Sequence, residues 1–395
     1  MPPLAERTLE LELRGRLRFG IGAIEGLPEL IGEVEGRRAF IVSDPGVVGS
    51  GVVDRVRAIL EAGGVGSALF AGVEPNPGTA CIRRGSEALL AFGTEATVVV
   101  PVGGGSSMDT AKVVSLHAMN GGEVLALGYH RDGLAPGRPL VAVPTTAGTG
   151  AETNAYGVIT DEAAGRKDYV GHPSVLPVWT VLDPALTVGL PPAATAATGV
   201  DALTHAIESL LSANGNPFAE ALALRVIRMV GTWLPRAVAD GSHLEARSQL
   251  LMASHLAGIG QASGTGVGLV HALGHAIGTR GRLAHGTALG CVLPEVLAFY
   301  AAQAGLRDHE LALIGVSLRV VSPAEDDARG AEAAIGALRT FLGALGQRPS
   351  LRSLGFDQAA LDMLAADAIA DPAIRNAPRM PTLEQAHAIL ASVLD

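Results

Sequence analysis

Two cysteines, Cys81 and Cys291, in a chain of 395 residues are too few and too isolated to form a disulfide framework or a thiolate metal site. Aromatic residues are sparse at 4%, so a core must be filled by Ala, Leu, Val and Gly. Charge is scarce too, at 17% of residues; the net charge is -10 and no Lys/Arg cluster occurs, which disfavours nucleic acid as a partner. An export signal is missing from the N-terminal stretch MPPLAERTLELELRGR, which has Glu and Arg where a signal peptide needs an apolar segment. No low-complexity segment or repeat is evident.

What is abundant is apolar residues, and a mean hydropathy of +0.34 raises the question of a membrane. The longest uncharged run, Ser248 to Thr279, is long enough to cross a bilayer. Its content is wrong for that: His255, Gln261, His271, His275 and seven glycines are too polar for hydrocarbon. The run Ala185 to Val200 is shorter and holds Pro191 and Pro192. The expectation is a soluble cytoplasmic protein, long enough for two domains.

Short β-branched runs alternate with helical ones in the first half. Strands are predicted at Ala39 to Ser43, Gly66 to Ala71, Thr97 to Val102 and Leu140 to Val143, with helices at Gly51 to Ala62, after Gly78 to Phe92, and Ser106 to His117. Strands that are apolar throughout, in alternation with helices, predict a parallel sheet covered on both faces. After Pro192 the texture changes to Ala/Leu-rich segments at helical spacing, among them Ala193 to Ser212, Pro217 to Ala239 and Leu244 to Ala262. The predicted organisation is an α/β domain over residues 1–189 and an all-helical domain over 190–395, with the crevice between them a favoured place for a ligand.

Two loops after predicted strands carry ligand-binding character. Gly103, Gly104, Gly105 and Ser106 open a helix; glycines allow close approach of the backbone, and the free N–H groups of a helix start suit a pyrophosphate. The order is neither G-x-G-x-x-G nor a P-loop, and taken alone such a turn is more often only a tight turn. Thr145, Thr146 and Thr149 in the second loop offer hydroxyls to a ribose or phosphate. Two such loops in one sheet point to a ligand at the carboxyl ends of its strands. Asp44, just past the first strand, suits a ribose 2′-hydroxyl and would repel a 2′-phosphate, favouring NAD over NADP, although an Asp-Pro turn alone would also explain it.

The helical half holds a second constellation. Asp201 and His205 lie four apart, on one helix face; His271 and His275 repeat the spacing, and His285 follows. A lone histidine would be a core residue, but a carboxylate among several imidazoles in a segment of little other polarity calls for a counter-charge, which a divalent metal supplies. Three imidazoles and one carboxylate suit Fe2+ or Zn2+ alike. Spacing alone leaves open which histidine is not a ligand.

These residues resemble the iron-containing (group III, metal-dependent) alcohol dehydrogenases in four motifs in order: GGGSSMDTAK from 103, PTTAGTGAE from 144, GVDALTHAIES from 199 and HALGH…HG from 271 to 286. Weaker likeness extends to Asn76, to the segment from Val181 to Leu186 and to NAPRMPTLEQ near the C-terminus. The resemblance implies an α/β dinucleotide-binding domain followed by an all-α metal-binding domain, an architecture shared with dehydroquinate synthases. It implies metal ligands Asp201, His205, His271 and His285, with His275 near the nicotinamide and not a ligand; its residue type makes His275 the candidate catalytic proton relay. Cofactor contacts are implied at Asp44, Asn76, Gly103, Gly104, Gly105, Ser106, Asp109, Thr145, Thr146, Thr149 and Lys167. The implied reaction is hydride transfer between a nicotinamide and a small alcohol, aldehyde or ketone held by the metal, in a homodimer or larger oligomer.

Two positions depart from the family: Ala151 stands where Ser is common, and Leu289-Gly290 where Asn-Ala often follows the last ligand. Neighbouring readings are a maleylacetate reductase, whose threonine loop differs, and a hydroxyacid-oxoacid transhydrogenase. From another class, an NAD/zinc sugar-phosphate cyclase would need a basic cluster for its substrate phosphate beside the ligands, and a metal-binding scaffold would leave both loops unused.

Overall fold

The computed structural model describes residues 15–129, 131–162, 166–303 and 306–395; the stretch read for an export signal lies outside the described residues through Arg14. The chain divides into two compact units, one ending at Leu190 and the other running from Pro191 to Asp395.

The first unit contains β1 (Arg16–Phe19), β2 (Arg38–Val42), β3 (Gly66–Phe70), β4 (Thr97–Gly103), β5 (Val141–Pro144), β6 (Tyr156–Asp161), β7 (Arg166–Gly171) and β8 (Trp179–Leu182). Its helices are α1 (Leu27–Glu33), α2 (Pro45–Gly49), α3 (Val52–Ala62), α4 (Thr79–Phe92) and α5 (Gly105–Asn120). Six strands form a parallel sheet in the order β1-β8-β5-β4-β2-β3. The two-residue period of a strand explains why the central strands read as apolar throughout. Ala39, Ile41, Val98, Val100 and Val102 face a cluster with residues of α1 and α3, while Phe40, Val42 and Val99 face one with α4 and α5. The expected parallel sheet covered on both faces is therefore present.

The alternation of strand and helix missed three features. β1 and β8 complete one side of the sheet, and β6 and β7 make a separate antiparallel hairpin. β1, β6 and β7 are only partly buried and mix charged with apolar residues, as in RLRF and RKDYVG, so their hydrophobic signal is weak, while β8 is mostly buried but only four residues long.

The second unit is helical: α6 (Pro192–Leu211), α7 (Pro217–Ala239), α8 (Leu244–Gly260), α9 (Leu269–Gly281), α10 (His285–Ala301), α11 (Asp308–Ser317), α12 (Asp327–Ala344), α13 (Leu361–Ala370) and α14 (Leu383–Ala391). The helix expected to reach Ala262 stops at Gly260. A wide turn with Gly264 at φ 104° follows, a conformation that favours glycine. The uncharged run thus spans α8, this turn and α9, and no described helix is long and apolar enough to cross a membrane. From Thr195 onward α6 is buried almost all round, which its Ala/Leu content allows and which makes Asp201, His205 and Glu208 interior polar groups.

Candidate active site

Pairing of β5 with β4 and of β4 with β2 puts the ends of three parallel strands side by side. Asp44 follows β2, Gly103 ends β4 and Thr145 follows β5. The sheet order changes direction between β2 and β4, which is where ligands settle in open α/β sheets.

The two loops pack on one another, and this is what the glycines permit. A Cβ at Gly104 would lie 3.1 Å from Thr146 Oγ1, and one at Gly105 would lie 2.7 Å from Thr149 Cγ2. One at Gly103, where φ is 153°, would meet Ser107 Oγ at 2.4 Å. The protein's own packing thus favours glycine at all three positions, most strongly at Gly103 and Gly105. No side chain caps the N-terminus of α5, so its first-turn amides and dipole present a positive end in which Ser106 stands.

Asp44 does two jobs. Its Oδ1 caps α2, accepting from the amides of Gly46 at 2.9 Å and Val47 at 3.0 Å, while its Oδ2 accepts from Ser107 Oγ at 3.3 Å. The Asp-Pro turn and the carboxylate beside the glycine loop therefore coexist. Asn76 is exposed with φ 52°, a region asparagine tolerates, and its carbonyl accepts from Thr160 Oγ1 of β6 at 3.0 Å.

Beneath the loops lies a residue the sequence did not single out. Lys112 is fully buried, and its ammonium donates to Ala151 O at 2.6 Å and to Asn154 Oδ1 and Tyr156 O at 2.7 Å each. It ties α5 to the chain just past the threonine loop. Burial pushes the Asp109 carboxyl up, against the pull of Lys112 at 3.6 Å, a backbone amide and Lys167 of β7.

In the helical unit three imidazoles surround one carboxylate oxygen. Asp201 Oδ1 lies 3.6 Å from His205 Nδ1, 3.7 Å from His271 Nε2 and 3.5 Å from His285 Nε2. The ligand atoms of Asp201, His271 and His285 all fall within 4.8 Å of one another, and His205 stacks on His271 with ring centroids 4.6 Å apart. Burial would raise the Asp201 carboxyl, but the imidazoles outweigh it and hold it well below the usual range. For His271, burial opposes the charged form, yet Glu208 and Asp201 together push it up to about 9.

Sequence placed these residues together by making the helix crossing possible. A Cβ at Gly286 would come 1.8 Å from Ala197 O, so only glycine lets α10 meet α6 one turn before Asp201 and bring His285 to it. His275 Nδ1 contacts Asp371 Oδ2 at 2.8 Å, and its ring stacks on His285 at 5.3 Å. His285 is the more open part of the group, with 30% of its side chain exposed against 3% for Asp201.

The model of the iron-containing alcohol dehydrogenases matches residues 15–184, and that of the family's C-terminal part matches residues 195–394. The chain belongs to the iron-containing alcohol dehydrogenase family. It is 32% identical over 377 residues to an NAD-dependent methanol dehydrogenase of Bacillus methanolicus, covering 95% of this chain and 97% of that one. Alcohol dehydrogenase 4 of Schizosaccharomyces pombe is 32% identical over 379 residues, covering 95% of this chain and 87% of that one. Among solved structures, a 1,3-propanediol oxidoreductase superposes with a TM-score of 0.92 at 32% identity, covering 98% of this chain and all 100% of that one. The protein is accordingly a metal-dependent alcohol dehydrogenase, an oxidoreductase.

A metal fits these residues. Asp201 Oδ1 and His271 Nε2 are buried with no hydrogen-bond partner among the described residues, a costly state without a cation. Separations of 3.5 to 3.7 Å are long for hydrogen bonds. They suit ligands that share an ion, since atoms about 2.1 Å from a tetrahedral centre stand roughly 3.4 Å apart.

Both departures from the alcohol dehydrogenase pattern are packing features. Ala151 joins Met108 and Ala142 in a small apolar cluster. Leu289 is buried against Gly274, where a Cβ would meet its Cδ2 at 2.5 Å, and a Cβ at Gly290 would lie 2.1 Å from Gln347 O. Sequence reasoning also passed over Glu208, which contacts His271, and Asp371. Glu208 was legible, because it lies seven residues after Asp201 on the same helix face. Asp371 is 96 residues from its partner and had no local signal.

Proposed function

We propose that the protein is an NAD-dependent dehydrogenase that uses Fe2+, with Zn2+ able to occupy the same ligands, to interconvert a small alcohol and its aldehyde or ketone. The observation that carries this reading is the set of imidazole nitrogens arrayed around the buried, unpartnered Asp201 Oδ1. When bound, the metal supplies Lewis acidity toward the substrate oxygen and the nicotinamide exchanges a hydride.

In this reading Asp201, His205, His271 and His285 hold the metal. Asp44, Asn76, Gly103 to Ser106, Asp109, Thr145, Thr146, Thr149 and Lys167 form the cofactor cradle. The N-terminus of α5 neutralises the pyrophosphate, and the acid at the end of β2 favours NAD because a 2′-phosphate beside it would be repelled. His275, held by Asp371 at Nδ1, is the proton relay, its imidazole taking the hydroxyl proton in oxidation and returning it in reduction. The NAD-dependent methanol dehydrogenase relative supports the same cofactor.

The test is reduction of a panel of aldehydes, ketones and ketoacids by protein reconstituted anaerobically with Fe2+ or with Zn2+, using NADH and NADPH in parallel. The reading expects activity only with metal and a preference for NADH; full activity of metal-free protein would overturn it. His275→Ala should lower turnover by about 100-fold or more while leaving metal content intact. Loss of metal in that variant would instead make His275 a ligand.

A further inference from the structure

Glu208 stands two turns beyond Asp201 on α6 and is buried beside the ligands proposed above. Its Oε2 contacts His271 Nδ1 at 2.6 Å and accepts from the amide of Gly268 at 2.8 Å; its Oε1 accepts from the amide of Val270 at 2.6 Å. Gly268 is the residue before α9, so one carboxylate closes the start of that helix and grips a side chain on its first turn. The approach is close: a Cβ at Gly268 would lie 3.0 Å from Glu208 Oε1.

We infer that Glu208 is a positioning residue that fixes His271 with its proton on Nδ1 and so offers Nε2 to the metal. The inference rests on the ligand set under Proposed function. A carboxylate only accepts, and the backbone amides of Gly268 and Val270 only donate, so the favourable arrangement has His271 donating from Nδ1 as well. The other tautomer would turn an Nδ1 lone pair toward the carboxylate and occupy Nε2 with a proton. Nε2 is the nitrogen that lies 3.7 Å from Asp201 Oδ1 and has no hydrogen-bond partner among the described residues. A carboxylate behind a ligating imidazole also makes it a stronger donor, and losing such a partner typically costs about 10–100-fold in metal affinity.

The experiment titrates the metal-stripped full chain with Zn2+ alone against a chromophoric chelator, comparing wild type, Glu208→Gln and His271→Ala. Glutamine keeps the shape but must turn an amide NH2 toward one of three donors. Glu208→Gln should bind one Zn2+ about 10–100-fold more weakly than wild type. Zn2+ affinity equal to wild type, even with lower thermal stability, would show a role confined to closing α9 and would overturn the inference. If His271→Ala binds Zn2+ as tightly as wild type, the ligand set itself fails and this inference with it. If His271→Ala loses Zn2+ and Glu208→Gln does not, only this inference fails. Should Glu208→Gln not fold, the zinc-loaded wild type labelled with 15N at histidine decides: a proton on Nδ1 of His271 supports the inference, and one on Nε2 overturns it.

Discussion

At Gly286 one hydrogen atom decides where a proposed ligand stands. The virtual Cβ lies 1.8 Å from Ala197 O, a backbone atom that cannot turn aside as a side chain could. Gly286→Ala must therefore push the start of α10 off α6 and carry His285 away from Asp201. Overpacking of this kind costs about 1–3 kcal/mol of stability, and Zn2+ affinity should fall by at least about tenfold if one ligand is misplaced. Urea unfolding and chelator competition would check both, and a variant with undiminished Zn2+ affinity would show that His285 does not depend on this crossing. Residue types at this scale were legible: Asp201, His205, His271 and His285 were singled out because imidazoles and a carboxylate in a charge-poor segment need a reason to be there. Their mutual distances were not legible, because α6, α9 and α10 are brought together by packing that no local pattern encodes.

Among the elements, α5 shows how a loop is held ready for a ligand. Its N-terminus faces the threonine loop through Gly104 and Gly105, and about two turns further along the helix Lys112 fastens the chain at the end of that loop. Lys112→Met would keep the bulk but take the ammonium from Ala151 O and Tyr156 O, while Asn154 Oδ1 would keep the Tyr156 amide. An unsatisfied buried polar group costs about 1–3 kcal/mol, so the loss should be on the order of 3 kcal/mol by urea unfolding. NADH affinity, followed by fluorescence titration, should weaken while Zn2+ affinity holds. NADH binding that stays intact in the folded variant would mean the loop keeps its shape without this tether. The strands β2, β4 and β5 were readable because burial on both faces makes them almost uniformly apolar, and the edge strand β3 was readable from its place between two helical segments. The hairpin of β6 and β7, which carries Lys167, was not, because a partly exposed antiparallel pair with Arg, Lys and Asp along it looks like a polar loop.

For the whole molecule, the two units should answer to different ligands. A ligand present at 100 times its dissociation constant stabilises the native state by about 2.7 kcal/mol. Hydrogen exchange should then show Zn2+ removal releasing protection in α6, α9 and α10, while NADH adds protection at residues 103–107 and 145–149. Metal removal that left α6 unchanged would argue against Asp201 as a ligand. The sequence by itself determined the α/β and helical textures, the two loops and the residue types of the candidate metal site, since each follows from periodicity, composition or short spacing along the chain. Only the tertiary structure decided that the glycines of the first loop are filled by the threonines of the second, that Lys112 is a tether, and that Glu208 and Asp371 stand behind His271 and His275. Those contacts join residues 39 to 96 positions apart, where the chain's own periodicity carries no information and packing alone brings the atoms together.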